Sequence, residues 1–217
     1  MSQFILIGSA TPLSREESGV IQHSGVGRIA RVRMYPMSLW ESGESNGQVS
    51  LSALFDGSQK EVLIENKLTL QEIAFALCRG GWPGTLRLSD RKALQVAYNY
   101  IDELINLDIQ RLDDIDRDPS KVRAVLRSYA RNISTLTPAS TIMKDVRAND
   151  ISVTDKTLSN YLNALGRLFI VEDLKSWRPS LRSKTAIRSA DKRHFVDPSL
   201  AVALLGLTPK SIFDDFR

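Results

Sequence analysis

The stretch that most constrains this chain runs from Thr137 to Leu174. It holds two short helical patterns, a tight link and an outgoing apolar run. Thr137 with Pro138 marks one helix start, because proline at the first helical position gives up an amide that has no partner there anyway. Ser152 followed by Asp155 has capping-box spacing for a second helix. On that second helix Leu158, Leu162 and Leu165 fall at i, i+4 and i+7 with Tyr161 beside them, which predicts a buried face. Lys156, Ser159, Asn160, Asn163 and Arg167 fall on the other side. Phe169 to Leu174 then reads as a strand. Helix, turn, polar-faced helix and strand is the order of a winged helix-turn-helix, whose second helix can enter a nucleic-acid groove.

Charge is distributed in the same sense. The whole chain of 217 residues carries a formal +4. Residues 1–120 hold 12 basic and 16 acidic side chains, and residues 121–217 hold 17 and 9. An excess of positive charge in the half carrying the helix-turn-helix suits a nucleic-acid surface; a solvated basic face with no partner is the alternative. Lys175, Arg178, Arg182, Lys184 and Arg188 follow the strand where a wing loop would lie, and Lys and Arg there can contact phosphates. The lone Cys78 excludes an internal disulfide and suits a reducing cytoplasm. No apolar run is long enough to span a membrane, and the short one near Met1 lacks the basic leader and cleavage site of a signal peptide.

Along the rest of the chain, Phe4-Ile5-Leu6-Ile7 reads as a doubly buried parallel strand ending at Gly8-Ser9. Gly27 to Pro36 alternates, with Ala30, Val32 and Met34 opposed to Arg31, Arg33 and Tyr35, as in an edge strand closed by proline. Ser38 and Glu41 form a capping box, and Gly43 to Gly57 is a Gly- and Ser-rich linker. Thr69 to Glu72 caps a helix that Gly80-Gly81 ends. Arg79-Gly80-Gly81-Trp82-Pro83 reads as a tight structural turn. Ser89 to Leu112 reads as one amphipathic helix. Asp118-Pro119 opens the next, with Val122, Val125, Leu126, Tyr129, Ala130 and Ile133 as its buried stripe.

Several of these phrases, Tyr35-Pro36-Met37-Ser38-Leu39-Trp40-Glu41 and Arg79-Gly80-Gly81-Trp82-Pro83 above all, resemble a family of prokaryotic AAA-type ATPases with a C-terminal DUF4143-like domain. The resemblance implies a mainly α fold with a small β component. Residues 1–42 would be a remnant of the ATPase core, 43–67 a linker, 68–136 a helical lid and 137–217 the winged helix with a basic wing. It also implies nucleotide-sensing roles for Ser9, Thr11 and Arg28, and ATP with magnesium as cofactors of the complete architecture. The chain itself has no G-x-x-x-x-G-K-[ST] loop and no Walker B strand, so no hydrolysis and no cofactor are expected of it alone. Its expected function is the lid and winged-helix portion of such an ATPase, without the P-loop and nuclease-like parts. Its expected partners are DNA, a P-loop-containing chain or another protein, with no membrane. A DNA-binding winged-helix module and a protein-interaction adaptor are the alternatives.

Overall fold

A computed structural model describes residues 5, 7–11, 30, 32–63, 65, 67–113, 115–149, 151–175 and 191–214. It is mainly helical. The helices are α1 (Leu51–Asp56), α2 (Leu70–Arg79), α3 (Asp90–Glu103), α4 (Pro119–Arg131), α5 (Ala139–Arg147), α6 (Asp155–Arg167), α7 (Pro198–Leu205) and α8 (Pro209–Asp214). None of them is long and apolar enough to cross a membrane. The chain forms two compact units. One comprises Met1–Met34 with Asn99–Val196, the other Tyr35–Tyr98 with Asp197–Arg217. The helical stretch 68–136 contributes to both.

In the first unit α4, α5 and α6 pack against one another. Val122, Val125, Leu126 and Tyr129 of α4 are buried, as are Ile142, Met143 and Val146 of α5 and Leu158, Tyr161 and Leu165 of α6. Their spacing is why these segments are helices at all: each buries one apolar stripe at helical period. Asp118 caps α4 by accepting from the Ser120 amide at 2.8 Å, with Pro119 at the first helical position. The other two caps fall one or two residues away from expectation. Pro138, not Thr137, stands at the α5 cap position, and the Thr137 hydroxyl donates to Asn132 Oδ1 instead. For α6 the cap is Thr154, whose Oγ1 accepts from the Thr157 amide at 3.1 Å. Thr154 outcompetes Ser152 because it stands directly before the first helical turn.

Two isolated antiparallel bridges follow α6 and tie two segments together as an arm. Val171 pairs with Phe195 and Leu174 with Lys192. Four backbone bonds hold one register: Val196 N to Ile170 O, Glu172 N to His194 O, and a reciprocal pair between Leu174 and Lys192. Phe169 turns the chain into this arm at φ +57°.

Residues 104–108 do not continue α3 as an ordinary α-helix. Leu104–Asp108 is a π turn, closed by a last α-helical turn at Ile109–Arg111. The uninterrupted helix expected from Ser89 to Leu112 is corrected here, since an i→i+5 widening leaves the apolar pattern intact.

In the second unit α2 packs on α7 and α8. Thr69 and Glu72 make the expected capping box, and Gly80 ends α2 at φ +74°. The Ser38–Glu41 exchange of hydrogen bonds is present too, but it closes a turn rather than a helix. Arg79-Gly80-Gly81-Trp82 is a buried structural turn. Asp197 Oδ2 accepts from the Gly81 amide at 2.8 Å, and Ser199 Oγ accepts from Trp82 Nε1 at 3.0 Å. A Cβ on Gly81 would lie 2.3 Å from Met37 O, so glycine is required by close backbone approach.

The two expected N-terminal strands are absent from the described residues. Ile5 and Ile7 are 89% and 88% exposed, and Val32 and Met34 are exposed as well. Apolar runs predicted the strands, but no neighbouring strand among the described residues offers them a ladder.

Candidate nucleic-acid interface

The exposed face of α6 is the site the sequence singles out. Lys156, Ser159 and Asn163 are exposed on it at i, i+3 and i+7, while Leu158, Tyr161 and Leu165 on the opposite side are buried. Between this face and the base of the arm lies an open groove of about 600 Å³. Ser159, Asn163 and Arg167 line one side and Val171, Asp173 and Arg193 the other.

Not every residue on the polar side of α6 is available to a ligand. Asn160 is half-buried, and its Oδ1 accepts from Arg117 Nε at 3.0 Å. Arg167 donates from Nη1 to Asp113 Oδ2 at 2.9 Å and from Nε to Thr11 O at 3.2 Å. These two are therefore positioned by the protein. Lys175 is exposed directly after the bridge residue Leu174. Arg178, Arg182, Lys184 and Arg188 lie outside the described residues.

Beneath α6 sits Arg117, a fully buried guanidinium that no local sequence signal marks. Asp113 grips it from both carboxylate oxygens, at 2.6 Å to Nη1 and 3.0 Å to Nη2. Ile109 O accepts from Nη1 at 3.1 Å and Gln110 Oε1 from the Arg117 amide at 2.9 Å. Two arginines thus share one carboxylate. The Arg117 hydrogen bonds, with the charge of that guanidinium and a further bond from Arg167, hold the Asp113 carboxyl below the usual carboxylate range against its burial.

The arm is held by a second cluster. Tyr129 donates to Asp173 and sits 3.1 Å from His194 O, and Arg193 pairs with the same Asp173. Burial first, and then Asp173, pushes the Tyr129 hydroxyl well above the ordinary phenol range. Phe195 meets the Tyr129 ring edge-on at 5.0 Å. Arg193 also donates to Thr137 O at 2.9 Å, and its backbone bonds Ser134 and Thr135. Arg33 bridges to Glu172 at 2.9 Å and lies over the Phe169 ring at 4.9 Å. The groove wall beside α6 is therefore fixed, with its local charges balanced.

Of the three expected nucleotide-sensing residues, Ser9 is exposed and Arg28 lies outside the described residues. Thr11 exchanges backbone bonds with the end of α6: its amide donates to Arg167 O at 2.8 Å, and its carbonyl receives Arg167 Nε. That makes it a fastening for the helix end.

No curated protein and no solved structure matches the chain. The resemblance to AAA-type ATPases with a DUF4143-like domain is overturned by the family comparison, which assigns the helical part of the chain elsewhere. The phrases that carried the resemblance are here a turn closed by Ser38 and Glu41 and a glycine turn closed by Asp197, demands that many helical folds share. Residues 70–211 match the family described as a domain of unknown function (DUF8612), and the chain belongs to that family.

Proposed function

We propose that residues 99–196 act as a winged-helix-type module that binds duplex DNA, with α6 as the helix presented to the groove and the arm as its wing. One observation carries this reading: α6 exposes Lys156, Ser159 and Asn163 in a row, beside an arm whose basic connection contains Lys175, Arg178, Arg182, Lys184 and Arg188. Serine and asparagine can hydrogen-bond base edges and sugar, whereas lysine and arginine contact phosphate. The half-buried bonds of Asn160 and Arg167 hold α6 in place and leave the outer row to the ligand.

A gel-shift titration of the whole chain with mixed-sequence duplex at low and moderate salt tests this. Binding that weakens as salt rises is expected, because released counterions drive phosphate contact. Absence of a shift at low salt would remove the proposal. The Lys156→Ala/Asn163→Ala variant should bind about tenfold more weakly than the parent chain, as expected from two lost polar contacts.

A further inference from the structure

On another side of α4, away from the groove beside α6, lies a second groove of about 520 Å³. Arg123, Arg127 and Arg131 line it from α4. They stand at i, i+4 and i+8, each about 6 Å along the helix axis and about 40° round from the last. Arg127 and Arg131 are exposed and form no ion pair among the described residues. Arg123 pairs with Asp102 at 2.7 Å, but both side chains are largely in water, with 45% and 62% exposure. Such a pair holds weakly and yields to a stronger anion. Ser120, Asn106 and Asn149 add a hydroxyl and two carboxamides to the lining. Asp145 also lines the groove; its carboxylate is bound by Ser128 Oγ at 3.0 Å and Asn132 Nδ2 at 3.4 Å.

We infer that this row of arginines is a second nucleic-acid contact, holding the phosphodiester backbone without reading bases. The inference rests on the DNA-binding reading above and extends it from α6 to α4. Three guanidiniums repeated along a rigid helix meet a chain of repeating phosphates, and each guanidinium fork can take a phosphate bidentately. The hydroxyl and carboxamides beside them are the groups that accompany arginine in backbone contacts. An apolar partner helix finds little here, since of the two large aliphatic side chains lining the groove Ile105 is buried and Ile151 half-buried.

The test measures fluorescence anisotropy of a labelled mixed-sequence duplex, from about 50 to about 200 mM salt, with the full chain and three variants of the row. Arg127→Gln/Arg131→Gln should bind about tenfold more weakly at the low end, with a log–log salt slope shallower by about 2. Arg127→Gln alone should lower the slope by about 1, and Arg127→Lys/Arg131→Lys should restore most of it. Both side chains are exposed, so circular dichroism should show an unchanged fold. Parent-like affinity and slope in the double variant would overturn the inference, while leaving the α6 reading intact if Lys156→Ala/Asn163→Ala still weakens binding. No binding by the parent chain would remove the α6 reading and this one together. A separate titration uses poly-glutamate: binding as tight as the duplex, lost in the double glutamine variant, would assign the row to an acidic protein instead.

Discussion

Among the described residues, Arg117 and Asp197 are the most deeply buried charged side chains of their respective units, and they are satisfied in opposite ways. Arg117 is met by a full counter-charge, Asp113, together with carbonyl and carboxamide oxygens. Asp197 is met by neutral donors: the Gly81 amide, the Ser199 amide and the Ser199 hydroxyl, the last two at the start of α7. A carboxylate can be housed by backbone amides at a helix start, where the helix dipole also favours it. A guanidinium has five donors and needs several acceptors converging from different segments. The arginine site draws mostly on nearby residues, Ile109 and Asp113, with one reach of 43 positions to Asn160. The aspartate site reaches 116 positions to Gly81 and needs glycines that let backbone come close.

The sharpest way to break this comparison is to remove the arginine. Arg117→Met strands a buried carboxylate and frees Asn160, and should destabilise the protein by about 3–5 kcal/mol in urea titrations. A loss below about 1 kcal/mol would mean that Arg167 alone satisfies Asp113. Gly81→Ala drives a Cβ into Met37 O and should cost about 3 kcal/mol, because the obstacle is backbone and cannot rotate away. Asp197→Ala should cost about 2 kcal/mol through a lost cap and an unsatisfied amide, and Asp197→Asn about half of that.

Acid sharpens the same contrast. The folded Asp113 pKa lies below its unfolded value, so its contribution is complete above the ordinary aspartate pKa of about 4 and is lost as pH falls through the folded one. Asp113→Asn should therefore flatten the acid limb of the stability–pH curve. A curve with the parent's steepness would show that other carboxylates set that limb. The smallest effect is expected at His194, whose Nε2 is buried without a hydrogen-bond partner among the described residues. His194→Phe should shift stability by less than about 1 kcal/mol, in either direction, in the same titrations.

Local chemistry made much of this fold readable in advance. Thr69 with Glu72 and Asp118 with Pro119 announced helix starts, and the apolar stripe of α4 announced its buried face, because these signals act within four residues. The polar face of α6 was readable for the same reason. That Asn160 and Arg167 would be taken up by the protein was not. Their partners Arg117 and Asp113 stand 43 and 54 residues earlier, in an acidic stretch whose composition suggests a solvated loop. Short apolar runs misled in the other direction. Ile5, Ile7, Val32 and Met34 have strand-like patterns, but strands require neighbours that period alone does not supply. The arginine row on α4 reads in sequence as an ordinary wet face; its interest comes only from the groove it lines.

The π turn at Leu104–Asp108 aims the socket of Arg117. Ile101, Ile105 and Ile109 are all buried, yet in a regular α-helix positions eight residues apart diverge by about 80° of rotation. The wider turn absorbs part of that divergence, keeping Ile109 inward and delivering its carbonyl to the guanidinium and the neighbouring Gln110 to the Arg117 backbone amide. Deleting one residue from this turn would swing both acceptors off target, dismantling from a distance the anchor on which α6 rests.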